Sequence, residues 1–511
     1  MALCNKIQVI HCKSAFVTTA LGIISSLNML TPAKAIAVSA KSADAFVDSI
    51  CVVTHPSYDW TQIEPKLAEL GVRHLRGGDE DATRAKEISN RYGIKFTMAV
   101  KPNFNSDDLK NYVKDVGPEK FAGISGINEP VYSVKGSDWV SVARNTQRNL
   151  WETIKGDPEL SGIPILTPSP AFPADAREMG NLSQWADYGF VNLYYGGRNP
   201  EVSGEWGTTD WVYSDLAGVL APGKPVILAE TGYHNTKQPK DHVGTPDLGV
   251  VAKYIPRLYL THWKRGIVRS CVFELHNRGT DANEQEHNFG LLHHDYSNKP
   301  SFNALKNMIG LLKDPGGANA PTGNLDYSLE GNTKNVETLL MQKQNGNFFL
   351  AIWLGVSSFD REMQKGFTVP PQSVTISFPQ TITQVVIHRL SAEGTMTSEN
   401  ASVSNGKLQM NINDAVAFVE IPSGNAQSPS TQVTFYEHAG FTGETRSFEE
   451  GTHKVVDPIG NGISSLRVPE GFKVVACESE SRSNCDEYSG DRSYVGDGLN
   501  DKISYVEIKK N

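Results

Sequence analysis

Long apolar runs, excess positive charge and metal-spaced cysteines are all scarce in this 511-residue chain. Beyond residue 35 no stretch is both apolar and long enough, about 20 residues, to cross a bilayer as a helix, which excludes a multi-span helical membrane protein. Lysine and arginine number 48 against 57 aspartates and glutamates, a formal net charge of −9. Without a basic excess the chain lacks the electrostatic footprint of a nucleic-acid binder. The six cysteines fall in no zinc-binding spacing. No glycine-rich phosphate loop follows the first β-like run, where "VVTHPSYDW" stands instead, which argues against a doubly wound nucleotide-binding sheet. What remains is the composition of a soluble globular protein, 39% hydrophobic and 21% charged, on a chain too long for one core.

The first 35 residues read as a removable leader. Lys6 and Lys13 flank the start of a short apolar run, "SAFVTTALGIISSLNML", and "AKA" at 33–35 supplies small residues for cleavage. This is the pattern of a secretory signal peptide. Its Thr, Ser and Asn interruptions weigh against the alternative, a single membrane anchor. The expected location is therefore extracellular or periplasmic, with no membrane association after the signal is removed. Cys4 and Cys12 leave with this segment. Cys477 and Cys485 lie close enough in sequence for a disulfide in an exported protein. Cys51 and Cys271 fall on the first and eighth strands of the series described next; a bridge is open to them, and two buried thiols are the expectation.

Strands and helices alternate from about 46 to 312. The strand-like runs are 46–55, 72–78, 94–102, 121–130, 163–171, 190–197, 225–234 and 270–277. Helical patterns separate them, such as Leu109, Tyr112, Val113 and Val116 behind Ser106, which is placed to cap. Short continuous apolar runs are the mark of parallel strands buried on both faces. Eight such units in about 270 residues predict a (β/α)8 barrel over 36–313. A Pro/Gly-rich stretch, "DPGGANAPTGN", then introduces alternating segments that predict a β-sandwich over 325–423. A linker at 423–431 precedes a third, β-rich module over 432–511.

In a barrel the reactive side chains project from the C-terminal strand ends. Two carboxylates stand there, each after an apolar run: Glu129, in "SGINEPVY" at the fourth strand, and Glu230, in "PVILAETGYH" at the seventh. A carboxylate at such a rim is expensive unless paired or used. Two facing one cleft can divide the labour of glycosidic bond cleavage, one protonated to give a proton and one ionised to attack.

Asn128-Glu129-Pro130 ending strand 4, with Glu230 ending strand 7, resembles the clan A retaining glycoside hydrolases. "SICVVTHPSYDW", "GVRHLRGG" and "FELHNRGTDANEQEHNFGLLHHDYSNKPSFNAL" are similar to bacterial members near families 5 and 39. The resemblance covers about 46–312. It implies Glu129 as acid/base, Glu230 as nucleophile, Asn128 as partner of the sugar 2-hydroxyl and Arg76 as the cation that keeps Glu230 ionised. It places Tyr194 beside the nucleophile and His234 and His276 among candidate subsite residues. Many relatives carry Trp at the end of strand 8; this chain has "VFELHN", leaving Phe273 or His276 to substitute. Trp206, in the long strand-6 loop, is placed to stack on a sugar ring, as is Trp211, which also opens a helix. The acidic strand-8 loop, with Asp281, Glu284, Glu286 and His287, reads as a solvated cleft wall rather than a metal site. The implied activity is a retaining β-glycosidase acting on a polysaccharide or oligosaccharide, endo-acting, with no catalytic cofactor. The alternatives are a non-catalytic carbohydrate-binding or matrix protein that keeps the barrel, and a transglycosylase with the same residues.

The third module carries Tyr436, Phe441 and Gly443 in an aromatic-x4-aromatic-x-Gly pattern and resembles the βγ-crystallin fold, two Greek keys in a small sandwich. Microbial members of that fold bind calcium through an Asn/Asp-rich signature. It is partly kept twice here, around Asn461 and Ser464 and around Asp501 and Ser504. The resemblance therefore implies a structural calcium on those oxygens, against a module that only stabilises or docks glycan.

Overall fold

The structure, a computed structural model, describes residues 36–510 apart from 78–80, 137, 205, 238–243, 380, 423–431, 440, 441, 456–461, 470 and 493. The leader at 1–35 and the linker at 423–431 lie outside the described residues, as does Asn461.

Eight parallel strands make the first body: Ile50–Val53, His74–Arg76, Lys95–Ala99, Phe121–Ser125, Ile165–Leu166, Gly189–Tyr194, Val226–Gly232 and Arg269–Val272, here barrel strands 1 to 8. They pair in the order 5-4-3-2-1-8-7-6. A parallel bridge from Leu166 to Tyr188 brings strand 5 against the start of strand 6 and nearly closes the ring. The strands are shorter than their apolar runs. The first run opens as a helix, Ala43–Asp48, because Ser42 accepts a hydrogen bond from the Ala45 amide and caps it before strand 1 begins. The helix Ser106–Val116 is capped by Asn105, not Ser106: the Asn105 side chain accepts from the Asp107 and Asp108 amides, while Ser106 sits inside the first turn and shares a hydrogen bond with Thr153. An Asn one residue earlier reaches the same orphan amides at least as well.

The expected pair of buried thiols at Cys51 and Cys271 is a disulfide instead. Strands 1 and 8 pair in register with Cys51 directly opposite Cys271, their Cα atoms 4.2 Å apart, so both sulfurs point into the same layer. Cys477 and Cys485 are bridged as expected, opposite each other on neighbouring strands.

Beyond the barrel, two sheets of four and six strands, antiparallel except for one parallel edge pairing in the larger, enclose a separate apolar core that includes Leu325, Phe348, Leu350, Ile376 and Val419. Residues ahead of the barrel contribute to both: Ile36–Ser39 pairs with Asn324–Gly331 at one sheet edge, and Lys41–Ser42 pairs with Val336–Gln342 at the other. The chain thus enters through the sandwich, builds the barrel, and returns.

A buried charge cluster joins the two bodies. Arg257, on the helix Leu248–Lys264, is fully buried and donates to both oxygens of Glu201, at 2.9 and 2.5 Å. The Trp353 indole of the sandwich donates to Glu201 at 2.7 Å, and Arg257 also reaches the carbonyls of Val356 and Asp414. Burial pushes the Glu201 carboxyl upward, but the Arg257 charge and the surrounding donors outweigh it and hold it below the usual range.

The C-terminal module is two small sheets. One runs 442–448, 433–438, 465–467; the other runs 451–454, 505–510, 472–477, 485–488. Gly451–Lys454, from the first half, pairs with Tyr505–Lys510 of the second, while Arg492, from the second half, bridges to Leu466 of the first. Each half lends a segment to the other's sheet.

Candidate active site

At the C-terminal end of the barrel lies a cleft of about 580 Å³ whose walls include Arg76, Asn128, Glu129, Tyr194, Glu230 and Phe273. The backbone delivers these side chains under constraint. Strand 4 ends at Ser125, and four residues later Glu129 stands directly before a short helix, Pro130–Ser133, in a left-handed conformation, φ 45°. A non-glycine residue there is strained. It is held by its own amide, which donates to the Ser169 carbonyl at 2.8 Å, and by the fixed φ of Pro130. The Ser133 hydroxyl clamps the Asn128 carbonyl at 2.6 Å. On strand 2, a glycine must follow Arg76: a Cβ at Gly77 would sit 2.3 Å from the Thr54 carbonyl oxygen.

Glu230 is held at both oxygens. Arg76 donates to Oε1 at 2.5 Å and the Tyr194 hydroxyl donates to Oε2 at 2.9 Å. The second Arg76 amino group donates to Asn128 Oδ1 at 2.7 Å, and Ser169 Oγ donates to the same oxygen at 2.6 Å. With its oxygen occupied by two donors, the Asn128 side chain has its NH2 group left to donate. Tyr194 stays a neutral donor: burial first, and then the Glu230 charge, pushes its hydroxyl well above the ordinary range.

Glu129 is the counterpart. Its carboxyl is raised above the ordinary glutamate value, first by burial and second by the charge of Glu230. Asn192, in strand 6, donates to Glu129 Oε1 at 3.1 Å and opposes that rise without cancelling it. One cleft therefore contains a carboxyl whose pKa is raised by burial and a second carboxyl held at both oxygens by a guanidinium and a phenol. Together they can supply a proton on one side and negative charge or a nucleophile on the other.

The other expected site residues divide. His234 lines the cleft, buried, with Nδ1 hydrogen-bonded to Thr236 at 2.8 Å and its ring against Phe289. Trp206 lines it too, more than half exposed, with the Arg198 guanidinium over its ring. His276 does not line it. That imidazole stacks on Tyr296 at 4.2 Å and bonds the His294 carbonyl, packing the loops behind strand 8. Phe273 is the strand-8 aromatic that reaches the cleft, flanked by His55 and Phe289. The strand-8 loop contributes Gln285, Glu286 and Phe289 to the wall, and Arg278 bridges Glu286 and the buried Glu274. Asn192 and Ser169 also hold the site and belong to none of the motifs that the sequence singles out. Asn192 had a signal, an amide inside the apolar run "FVNLYY"; Ser169 had none.

In the C-terminal module Ser464 Oγ lies 3.4 Å from Asp501 Oδ1, so the two halves do bring oxygens together. Ser504 is turned away, its hydroxyl donating to the Glu478 carbonyl.

No family profile matches the sequence, and no curated protein does. Among solved structures the chain is similar to a family 39 glycoside hydrolase from Bacteroides cellulosilyticus WH2, at 18% identity, covering 75% of this chain and 83% of that one with a TM-score of 0.45. It is similar to a glucosidase from Croceicoccus marinus at 11% identity, covering 76% and 97%, TM-score 0.49. Over 16% of its length the chain is similar to a double mutant of a βγ-crystallin domain from Clostridium beijerinckii, at 30% identity, covering 100% of that chain, TM-score 0.15.

Because Glu230 contributes to the upward shift of Glu129, Glu230→Gln is expected to lower the Glu129 pKa toward that of an ordinary glutamate. A carboxyl titration followed by difference infrared spectroscopy, with Glu129→Gln to assign the band, checks this. An unchanged band would remove the coupling.

Proposed function

We propose that this chain is a secreted retaining β-glycoside hydrolase, endo-acting on a polysaccharide. The observation that carries the reading is the paired carboxyls of strands 4 and 7 with opposed environments: Glu129 shifted toward its protonated form, Glu230 held by Arg76 and Tyr194. In the first step a Glu230 oxygen bonds to the anomeric carbon as the glycosidic C–O bond breaks, and Glu129 gives its proton to the leaving oxygen. In the second, Glu129 takes a proton from water, whose oxygen displaces Glu230 and restores the original anomeric configuration. The Asn128 NH2 group is placed to bond the sugar 2-hydroxyl, and Phe273 takes the position where relatives offer an indole.

The reading is tested by offering purified protein a panel of β-linked glycans and following the anomeric protons of the first product by NMR. Retention of configuration is expected. Initial release of the inverted anomer would overturn the double displacement.

Calcium binding by the C-terminal module belongs to the same proposal. The adjacent oxygens of Ser464 and Asp501 and the buried, unpartnered Oδ1 of Asn500 support one site. Calorimetric titration of the whole chain is expected to show at most one calcium, with Kd on the order of 10⁻⁴ to 10⁻³ M, as in extracellular modules. Asp501→Ala is expected to abolish it. Absence of calcium-dependent heat in the wild type would remove the proposal.

A further inference from the structure

Few large apolar side chains in the described residues face water, and two of them touch each other. Tyr132 is 65% exposed and Phe172 53%, with ring centroids 6.3 Å apart and planes at 75°. Leaving two aromatic rings in water is unfavourable, and they do not bury each other. Such an exposed patch marks a binding surface more often than a scattered single residue does.

Their attachment is informative. Tyr132 sits in the helical turn that begins at Glu129, and the amides of Tyr132 and Ser133 both donate to the Glu129 carbonyl, at 2.9 and 3.0 Å. Phe172 follows Ser169 by three residues, and Ser169 is the residue that takes the Glu129 amide and fixes Asn128. The Phe172 amide is itself anchored by Asp175 at 3.0 Å, which caps the helix Pro173–Met179. Both rings therefore hang from the two segments that position the carboxyl of Glu129. Neither lines the 580 Å³ cleft; they stand outside it on the strand-4 and strand-5 rim.

From this placement we infer that Tyr132 and Phe172 form a stacking platform for the leaving-side sugar of a glycan chain. The inference rests on the proposed function, which makes Glu129 the proton donor to the departing oxygen. The leaving group must then exit past Glu129, on the side where the two rings stand. A pyranose ring has an apolar face of C–H groups and a polar hydroxyl rim. A pair of exposed aromatics at a cleft mouth can cover that face while the hydroxyls stay in water. The platform would bind a further sugar unit beyond the scissile bond, and so would favour oligomeric substrates over glycosides with a minimal leaving group.

The test compares two leaving groups on the full chain. β-D-glucosyl, β-D-galactosyl and β-D-xylosyl fluorides have a leaving group with no surface to stack and no need of a proton. The matching β-1,4-linked trisaccharides have a sugar there. For whichever pair the wild type turns over, Tyr132→Ala with Phe172→Ala is expected to lower kcat/KM on the trisaccharide about tenfold or more, mainly through KM. The same double variant should hydrolyse the fluoride within about twofold of wild type, since both rings are exposed and remote from the bond that breaks. Tyr132→Phe and Phe172→Tyr, which keep the ring faces, should behave as wild type on both. Unchanged trisaccharide kinetics in the double alanine variant would overturn the platform. So would an equal loss on the fluoride, which would mean a structural role. Wild-type inertness toward every fluoride and trisaccharide would overturn the proposed function itself.

Discussion

Glu230→Ala is expected to abolish turnover, by roughly four orders of magnitude or more, the scale lost when a covalent nucleophile is removed. The variant also leaves Arg76 and Tyr194 facing a vacated space, since both direct their hydrogen bonds at that carboxylate. A small anion can enter that space. Added azide should restore part of the rate on an activated substrate and yield a glycosyl azide of inverted configuration, because it attacks from the face Glu230 occupied. Glu129→Ala should behave differently. Loss of a general acid costs about 10² to 10⁴ on a substrate whose leaving oxygen needs a proton, and far less in the first step on a fluoride or dinitrophenyl glycoside, which needs none. The two variants therefore separate the two roles. Full activity in either one, or rescue of Glu129→Ala with inversion, would reverse or end the assignment.

The largest expected loss of stability lies away from the cleft, at Arg257. Arg257→Ala leaves Glu201 buried, with the Trp353 indole and Asn199 as donors but without its cation. An uncompensated buried charge of this kind costs about 3–5 kcal/mol. Glu201→Ala should cost a similar amount by stranding the guanidinium. The double change Arg257→Met with Glu201→Leu should cost much less than the sum, because no charge remains to be desolvated. Urea unfolding followed by tryptophan fluorescence is suited to the comparison, since Trp353 reports from the cluster itself. A single variant that lost less than about 1 kcal/mol would mean that water reaches the site and screens it.

The barrel was readable because parallel strands with both faces covered must be apolar throughout, and eight such runs alternate with helical patterns. The ends of those runs were less readable. Residues 46–48 are apolar enough for a strand, yet Ser42 caps them into a helix. The Cys477–Cys485 pair was visible from its short spacing, but Cys51 and Cys271 read as buried thiols because the register that sets them directly opposite each other was not. Residues within their strands reached the cleft when the strand aimed them there, as Arg76, Tyr194 and Glu230 do. Glu129 and His276 each lie four residues past their strands, but the Glu129 amide is tied to Ser169 at the cleft while the His276 ring stacks on Tyr296 away from it, a difference that spacing along the chain does not encode. Gln285, Glu286 and Phe289 come from a loop whose path no periodicity encodes, and they line the cleft.

The entry of the chain through Ile36–Ser39 and Lys41–Ser42 makes the barrel an insertion within the sandwich rather than a bead ahead of it. During synthesis these residues emerge ahead of the barrel and must wait, unpartnered, until Asn324–Gly331 and Val336–Gln342 follow the barrel out. A chain trimmed to begin at residue 43 would keep every catalytic candidate and lose the outermost strand of both sandwich sheets. It would present two open edges of the kind that recruit strands from other molecules. Its failure would be aggregation rather than inactivity, and a soluble catalytic fragment would need the first seven described residues as much as it needs the barrel.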